Sequence, residues 1–272
     1  MSATAHDARP LGVFDSGIGG LTVVRELLAL LPDEEIVYFG DVARLPYGNK
    51  SPEAVTRFSR EITAFLIGQG VKAIVVACNT ATALALPALV SELEVPVVGV
   101  IESGARAAAA RTKTGRVGVI ATASTVRSGA YGKALRALKP ELAITERACP
   151  LFVPLVEEGW ITHPVTRQVA HEYLTPLEEH DADTLILGCT HYPLLKPVIA
   201  EEMGSKVRLI DSGEETARTV LEMLEAKGLR APAGRTPRHA LYLSDLPVAF
   251  RPTAERFLGR ELPPVEVVPS PG

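Results

Sequence analysis

Aromatic side chains are scarce in this chain: they make up 5% of 272 residues, with a single tryptophan, Trp160. A core must then come from Val, Ile, Leu and Ala, which dominate a hydrophobic share of 47% and are the residues of buried parallel sheets. Cysteine is as sparse, with three residues, Cys78, Cys149 and Cys189, and no CxxC pair. That excludes a secreted-type disulfide framework and leads us to expect reduced thiols in a cytoplasm. There is no surplus of positive charge; the formal net charge of −4 gives no electrostatic reason to bind nucleic acid or an anionic membrane. The first ten residues hold no apolar signal core, so 1–10 and 269–272 are expected to be loose tails.

One uncharged run, Ala73 to Ser91, is as long as a membrane helix. Asn79, Thr80, Thr82 and Pro87 interrupt it, and it divides better into a strand, a polar turn and a helix. A dinucleotide fingerprint is also missing: Asp15-Ser-Gly-Ile-Gly-Gly20 is not GxGxxG, and no P-loop lysine follows. Its backbone amides and the Ser16 hydroxyl could hold an anion or carboxylate at a helix start. A plain tight turn explains it equally well.

What is present is a pair. Cys78 ends the run Ala73-Ile-Val-Val-Ala and begins Cys-Asn-Thr-Ala; Cys189 ends Thr184-Leu-Ile-Leu-Gly and begins Cys-Thr-His-Tyr-Pro. A residue at the carboxyl end of a buried parallel strand lies where open α/β sheets bind ligands. The surroundings repeat as well. Leu11–Gly17 is echoed by Val117–Ala123, and Val97–Ala105 by Val207–Glu214. The offsets are 106 (Gly12 to Gly118), 111 (Cys78 to Cys189) and 109 (Glu102 to Asp211). Strand-turn-helix units resemble one another in any doubly wound fold, but three matches in register argue for two similar α/β units, each of about a hundred residues.

The periodicity predicts strands at Leu11–Phe14, Ile36–Phe39, 73–77, Arg116–Ile120 and Thr184–Leu187, with helices at Leu21–Leu31 and Pro52–Gln69. Signals after Val207 are expected to return the chain to the first unit, through strands at Ala240–Leu243 and Val265–Val268 around a helix at Thr253–Leu258. Gly228–Pro237 reads as a surface loop.

A cysteine is a useful base only as thiolate, which cations and helix N-termini favour and burial opposes. His191 can supply charge or accept a proton beside Cys189, and Asp15 is a candidate partner for Cys78. A lone free cysteine is more often a buried structural residue, the reading kept for Cys149; the paired setting reverses it for Cys78 and Cys189. Asn79-Thr80 and Thr190-His191 offer hydroxyl, amide and backbone donors to a substrate, and could cap helices as well. On the residues alone, Tyr47-Gly48 is a surface turn and Glu157-Glu158 a solvated pair. Zinc held by Cys78, Cys189, His191 and Asp15 lacks the closely spaced ligand pair that zinc sites use, so no metal is expected.

Taken together, Asp15-Ser-Gly-Ile-Gly-Gly, Pro46-Tyr-Gly, Cys78-Asn-Thr-Ala, Cys149-Pro-Leu-Phe-Val-Pro-Leu-Val-Glu157 and Gly188-Cys-Thr-His-Tyr-Pro193 resemble the motifs of the glutamate racemases, within the aspartate/glutamate racemase superfamily. The matches run in order from about residue 11 to 218. The resemblance implies a cofactor-independent enzyme making D-glutamate for peptidoglycan in a bacterial cytoplasm. It implies two parallel-sheet α/β domains related by a pseudo-twofold, 11–100 plus 211–268 and 101–210, with the site in the cleft between them. It also implies that Cys78 acts on D-glutamate and Cys189 on L-glutamate, assisted by Asp15 and His191, with Glu157 supporting the second side and Asp41 tuning the first. Ser16, Tyr47, Gly48, Asn79, Thr80, Thr122, Thr190 and His191, with Asp15, resemble the substrate-binding set. A homodimer is the assembly the resemblance suggests. Aspartate racemase or a one-thiol decarboxylase of the same superfamily is the near rival, though a decarboxylase needs one cysteine only. A non-catalytic two-lobed binding protein is the rival of another class.

Overall fold

The computed structural model describes residues 6–247 and 250–269. Residues 1–5 and 270–272, parts of the expected tails, lie outside the described residues. Among the described residues ten strands form two sheets, both wholly parallel. The first holds β1 (Leu11–Asp15), β2 (Ile36–Gly40), β3 (Ala73–Val76), β4 (Val97–Gly99), β9 (Ala240–Leu243) and β10 (Val265–Val267), in the order β10-β9-β2-β1-β3-β4. The second holds β5 (Arg116–Ala121), β6 (Ala143–Ala148), β7 (Thr184–Gly188) and β8 (Arg208–Asp211), in the order β6-β5-β7-β8.

The order β2-β1-β3-β4 of the first sheet recurs as β6-β5-β7-β8 in the second. Gly12 and Gly118 fall on β1 and β5, Cys78 lies two residues after β3, and Cys189 directly follows β7. The repeat in the sequence is therefore a repeat in topology. One expectation is corrected. Arg208–Asp211 pairs with β7, so the strand after Val207 completes the second sheet, and the chain returns to the first only through helix Ser212–Lys227 and β9. A run of four residues beginning Arg-Leu does not reveal which sheet has the open edge.

Alternation along the strands sorts the core. Leu11, Val13, Ile36, Tyr38, Ala73 and Val75 face one way, into an apolar cluster shared with the second sheet. Phe14, Val37, Phe39, Ile74, Val76 and Cys78 face the other, under helices Pro52–Gly68 and Asn79–Glu92. Strands buried on both faces carry no polar alternation, which is why β1, β2, β3 and β7 read as continuous apolar runs. Helix Ser212–Lys227 packs against both Leu21–Leu30 and Val100–Arg111, and the three join the two halves. The uncharged run from Ala73 divides into β3 and helix Asn79–Glu92. Among the described residues no helix is long and apolar enough to cross a membrane.

The amino-terminal segment expected to be loose is tied down from Asp7. Its carbonyl accepts from Lys72 Nζ at 2.7 Å, and the Ala8 carbonyl from Arg235 at 2.8 Å. Lys72 pairs with Glu34 at 2.6 Å, both side chains 1% exposed or less, and Glu34 also accepts the backbone N–H of Ala231 at 2.8 Å. This ion pair thus fastens the start of β3, the turn before β2, the amino-terminal segment and the chain after Lys227. Removing Lys72 leaves the buried Glu34 carboxylate with only Arg230 Nε, at 3.8 Å, as a cation among the described residues, and the loss approaches that of a broken buried pair, about 3–5 kcal/mol. Lys72→Met should lower the unfolding free energy by roughly that amount, read from the urea midpoint at unchanged slope. Adding Glu34→Gln should recover part of the loss, because the orphaned charge goes with it.

Candidate active site

In each sheet the chain order reverses beside the first strand of the repeat, between β1 and β3 and again between β5 and β7. Loops leaving the carboxyl ends of strands at such a switch point diverge and leave a crevice. Here the two crevices share one cavity of about 320 Å³. Ser16 comes from the loop after β1, Leu45 to Asn49 after β2, and Cys78, Asn79 and Thr80 after β3. Thr122 and Ala123 follow β5, Pro150, Val153 and Pro154 follow β6, and Cys189, Thr190 and His191 follow β7. Both motif cysteines thus line one space, which two sulfurs buried in separate cores could not do.

The glycines of Asp15–Gly20 permit this approach. A Cβ on Gly19 would lie 2.4 Å from Thr190 Oγ1 and 2.6 Å from His191 Cε1, and one on Gly20 2.5 Å from the Asp15 Cβ. With no side chains there, Thr22 donates to the Thr190 carbonyl at 2.9 Å, and the loops of the two sheets lock together.

The two thiols have different company. Cys78 caps helix Asn79–Glu92, its sulfur accepting from the Ala81 N–H at 3.4 Å, and it lies 3.6 Å from Ser16 Oγ. Burial pushes this thiol up to about 12, and the nearby Asp15 carboxylate adds to the shift; the Ala81 N–H and Ser16 oppose it. Asp15 is 1% exposed and accepts from the Gly17 N–H at 3.0 Å. Burial raises its carboxyl above the usual range, against the pull of His191 and of backbone N–H groups. Ser16, not Asp15, is the hydrogen-bonding neighbour of Cys78.

Cys189 lies 3.9 Å from His191 Nδ1. On its other side, His191 Nε2 is 3.0 Å from Glu157 Oε1. Burial alone would lower this imidazole, but its bonds to Cys189 and Glu157 outweigh that and hold it at about 10. His191 is therefore an imidazolium at neutral pH. The ring of Phe257, from helix Phe250–Leu258, stands edge-on to it at 5.0 Å.

Two readings made from the residues alone are overturned. Glu157 is no free solvated carboxylate; helix Phe152–Glu157 delivers it to His191. Tyr47 is no surface residue; it is 1% exposed, its hydroxyl donates to Asp41, and Asp41 also accepts from Arg44 at 2.7 Å. Gly48 holds its place in the wall by accepting from Ser124 at 2.5 Å. Thr80, Thr122 and the unforeseen Thr125 form a ring of hydroxyls, with oxygens 3.0–3.3 Å apart. Cys149 is fully buried and its carbonyl accepts from Tyr192, in keeping with a structural residue. Phe257, Thr125 and Tyr131, which bonds Asn79, carry no sequence signal beyond being apolar or hydroxylated. Among the described residues no three His, Cys, Asp or Glu side chains group as metal ligands.

The model of the Asp/Glu/Hydantoin racemase family matches residues 18–220. A glutamate racemase of Geobacter metallireducens is 55% identical over 254 residues, 93% of this chain and 94% of its own. The crystal structure of a Bacillus anthracis glutamate racemase shares 44% identity at a TM-score of 0.93, over 97% of this chain and 98% of that one. The Francisella tularensis glutamate racemase, solved in complex with D-glutamate, gives 40% identity and a TM-score of 0.90 over 96% and 98%.

The pairing at His191 makes a measurable demand. Glu157→Gln keeps the shape and removes the carboxylate charge, so the imidazolium should be less favoured. An NMR titration of His191 should show its pKa falling from about 10 by about one unit or more. An unchanged titration would mean that Glu157 does not hold the proton on the ring.

Proposed function

The chain belongs to the glutamate racemase family, isomerases acting on amino acids, and from that premise we propose that it interconverts L- and D-glutamate by proton transfer at Cα between Cys78 and Cys189, with no cofactor. The product serves a bacterial cytoplasm as the D-glutamate of peptidoglycan. The observation that carries this reading is the single cavity lined by both cysteines, each from the equivalent loop of a different sheet. A glutamate lying there has one thiol toward each face of its Cα. The two α/β units are residues 11–100 with 211–268, and 101–210. Asp15, Ser16, Tyr47, Gly48, Asn79, Thr80, Thr122, Thr190 and His191 make up the binding set, and Glu157 and Asp41 support it from behind.

The chemical difficulty is a weakly acidic α-hydrogen. With no electron sink such as pyridoxal phosphate, donors aimed at the α-carboxylate must stabilise the charge that develops there. The hydroxyls of Ser16, Thr80, Thr122 and Thr190 and the amide of Asn79 line the cavity as such donors. At neutral pH a thiol on Cys78 is favoured by burial and by Asp15, and the His191 side chain stands 3.9 Å from the Cys189 sulfur. In turnover of L-glutamate Cys189 takes the α-proton and Cys78 delivers its own to the opposite face. The reverse reaction needs Cys78 as thiolate. The raised carboxyl of Asp15 is a better proton acceptor than an ordinary carboxylate, and because Ser16 is the neighbour bonded to the sulfur the proton reaches it by way of that hydroxyl.

Deuterium tests the two-thiol step. Early in a reaction in deuterated water the product enantiomer should carry deuterium at Cα, while recovered substrate stays mostly protiated. Product that retains protium would refute the mechanism. Cys78→Ala or Cys189→Ala should abolish racemisation in both directions, whereas Cys149→Ala should leave it largely intact. Assays with glutamate and aspartate side by side decide against the aspartate racemase reading if only glutamate turns over.

The two sides can also be separated. His191→Asn should depress kcat from L-glutamate by about 100-fold and from D-glutamate less. Asp15→Asn should show the opposite bias. The equilibrium constant of one ties the two kcat/KM values together, so the asymmetry is read in kcat. Equal effects in both directions would overturn the assignment of one assisting group to each thiol.

A further inference from the structure

The site holds a buried amide with only one end satisfied. Asn79 is 3% exposed and lines the cavity. Its Oδ1 accepts from the Tyr131 hydroxyl at 2.6 Å. Its Nδ2 is buried and has no hydrogen-bond partner among the described residues. Buried polar atoms are nearly always paired, and an amide nitrogen offers hydrogens only. Because Asn79 lines the cavity, an acceptor arriving there, such as a carboxylate oxygen, is a partner that the amide nitrogen can turn to meet.

A side-chain amide can rotate by half a turn and present its oxygen instead. Which end faces the ligand is set by the partner of the other end. Tyr131 is fully buried, on helix Ala130–Leu138 beside the second sheet, whereas Asn79 opens the helix after β3 of the first. The bond between them crosses from one half of the molecule to the other.

We propose that Tyr131 is a positioning residue of the reaction: its hydroxyl pins the Asn79 oxygen and so commits the amide hydrogens to the α-carboxylate of the substrate. The inference rests on the racemase reading given above. Asn79 is the neighbour of Cys78 in the chain, and the carbon that Cys78 serves bears that carboxylate. Charge grows on the α-carboxylate as the proton leaves, so a donor committed to it acts on the chemical step more than on ground-state binding. Being bonded to neither thiol, it acts alike in both directions.

The test compares Tyr131→Phe, Asn79→Ala, the double variant and Asn79→Asp by steady-state kinetics with L- and D-glutamate. Tyr131→Phe keeps the buried ring and frees the amide to turn. It should lower kcat by about tenfold in both directions with KM changed by less than about threefold. The double variant should be no slower than Asn79→Ala alone, because the hydroxyl has nothing left to position. Losses that multiply instead would mean that Tyr131 acts through packing and would overturn the proposal, as would a Tyr131→Phe enzyme with wild-type kcat. Asn79→Asp gives an independent answer if Tyr131→Phe does not fold. Facing the substrate carboxylate with another carboxylate, it should lose more activity than Asn79→Ala. A well-preserved Asn79→Asp enzyme would show that Asn79 presents its oxygen, to the substrate ammonium, and the proposal would fall. Failure of the racemase reading is distinguishable from all of these, since the unaltered protein would then racemise nothing.

Discussion

A seam of hydrogen bonds holds the loops of one sheet against those of the other, and the cavity depends on it. Thr22 donates to the Thr190 carbonyl at 2.9 Å, Ser124 to the Gly48 carbonyl at 2.5 Å and Tyr131 to Asn79 at 2.6 Å, while Thr80 meets Thr122 at 3.0 Å. Each is worth about 1 kcal/mol net, far less than the apolar surface that helices Leu21–Leu30, Val100–Arg111 and Ser212–Lys227 bury between the halves. Their value is positional. Every one joins a cavity-lining residue or its immediate neighbour across the crevice, so they hold the two walls in register. The missing side chain at Gly19 is what lets the seam close.

Within that seam, repeated topology produces unlike environments. Cys78 and Cys189 follow equivalent strands, yet one lies against a hydroxyl and a buried carboxyl and the other against an imidazolium bonded to a carboxylate. Environments that push paired titratable groups apart are how one site can hold an acid and a base together. The difference comes from what each half added to the repeat. The first contributes Asp15 from the end of its own β1. The second borrows Glu157 from the segment after β6, and Phe257 reaches His191 from near the end of the chain.

The strands at the centre of each sheet were legible because burial on both faces leaves an unbroken apolar run, and the sites at their ends because Cys, Asn, Thr and His interrupt such runs abruptly. Much else was not. Strand β6 (Ala143–Ala148) is an edge strand of mixed exposure containing Thr145, Glu146 and Arg147, and nothing in its pattern sets it apart from a loop. The placement of β8 in the second sheet depends on which edge is open, a property of the assembled sheet. Glu157 and Tyr47 were misread from their neighbours, because a carboxylate at the end of a six-residue helix and a tyrosine after proline acquire their partners only through tertiary folding. The resemblance to a family singled out both, which their local sequence could not do.

The interleaving of the two sheets along the chain also has a bearing on biosynthesis. All strands of the second sheet lie between residues 116 and 211, so it can be complete while the rest of the chain is still being made. The first sheet cannot. The outer edge of β2 waits for β9, pairing Val37 with Ala240 across some two hundred residues, and the edge of β9 waits in turn for β10. Until then Ile36–Gly40, apolar and later buried throughout, presents open backbone donors and acceptors to any neighbouring chain. The nascent protein thus carries an open edge from the making of β2 until β9 emerges some two hundred residues later, which makes the sheet's far edge, well away from the cavity, the part that a chaperone has most reason to shield.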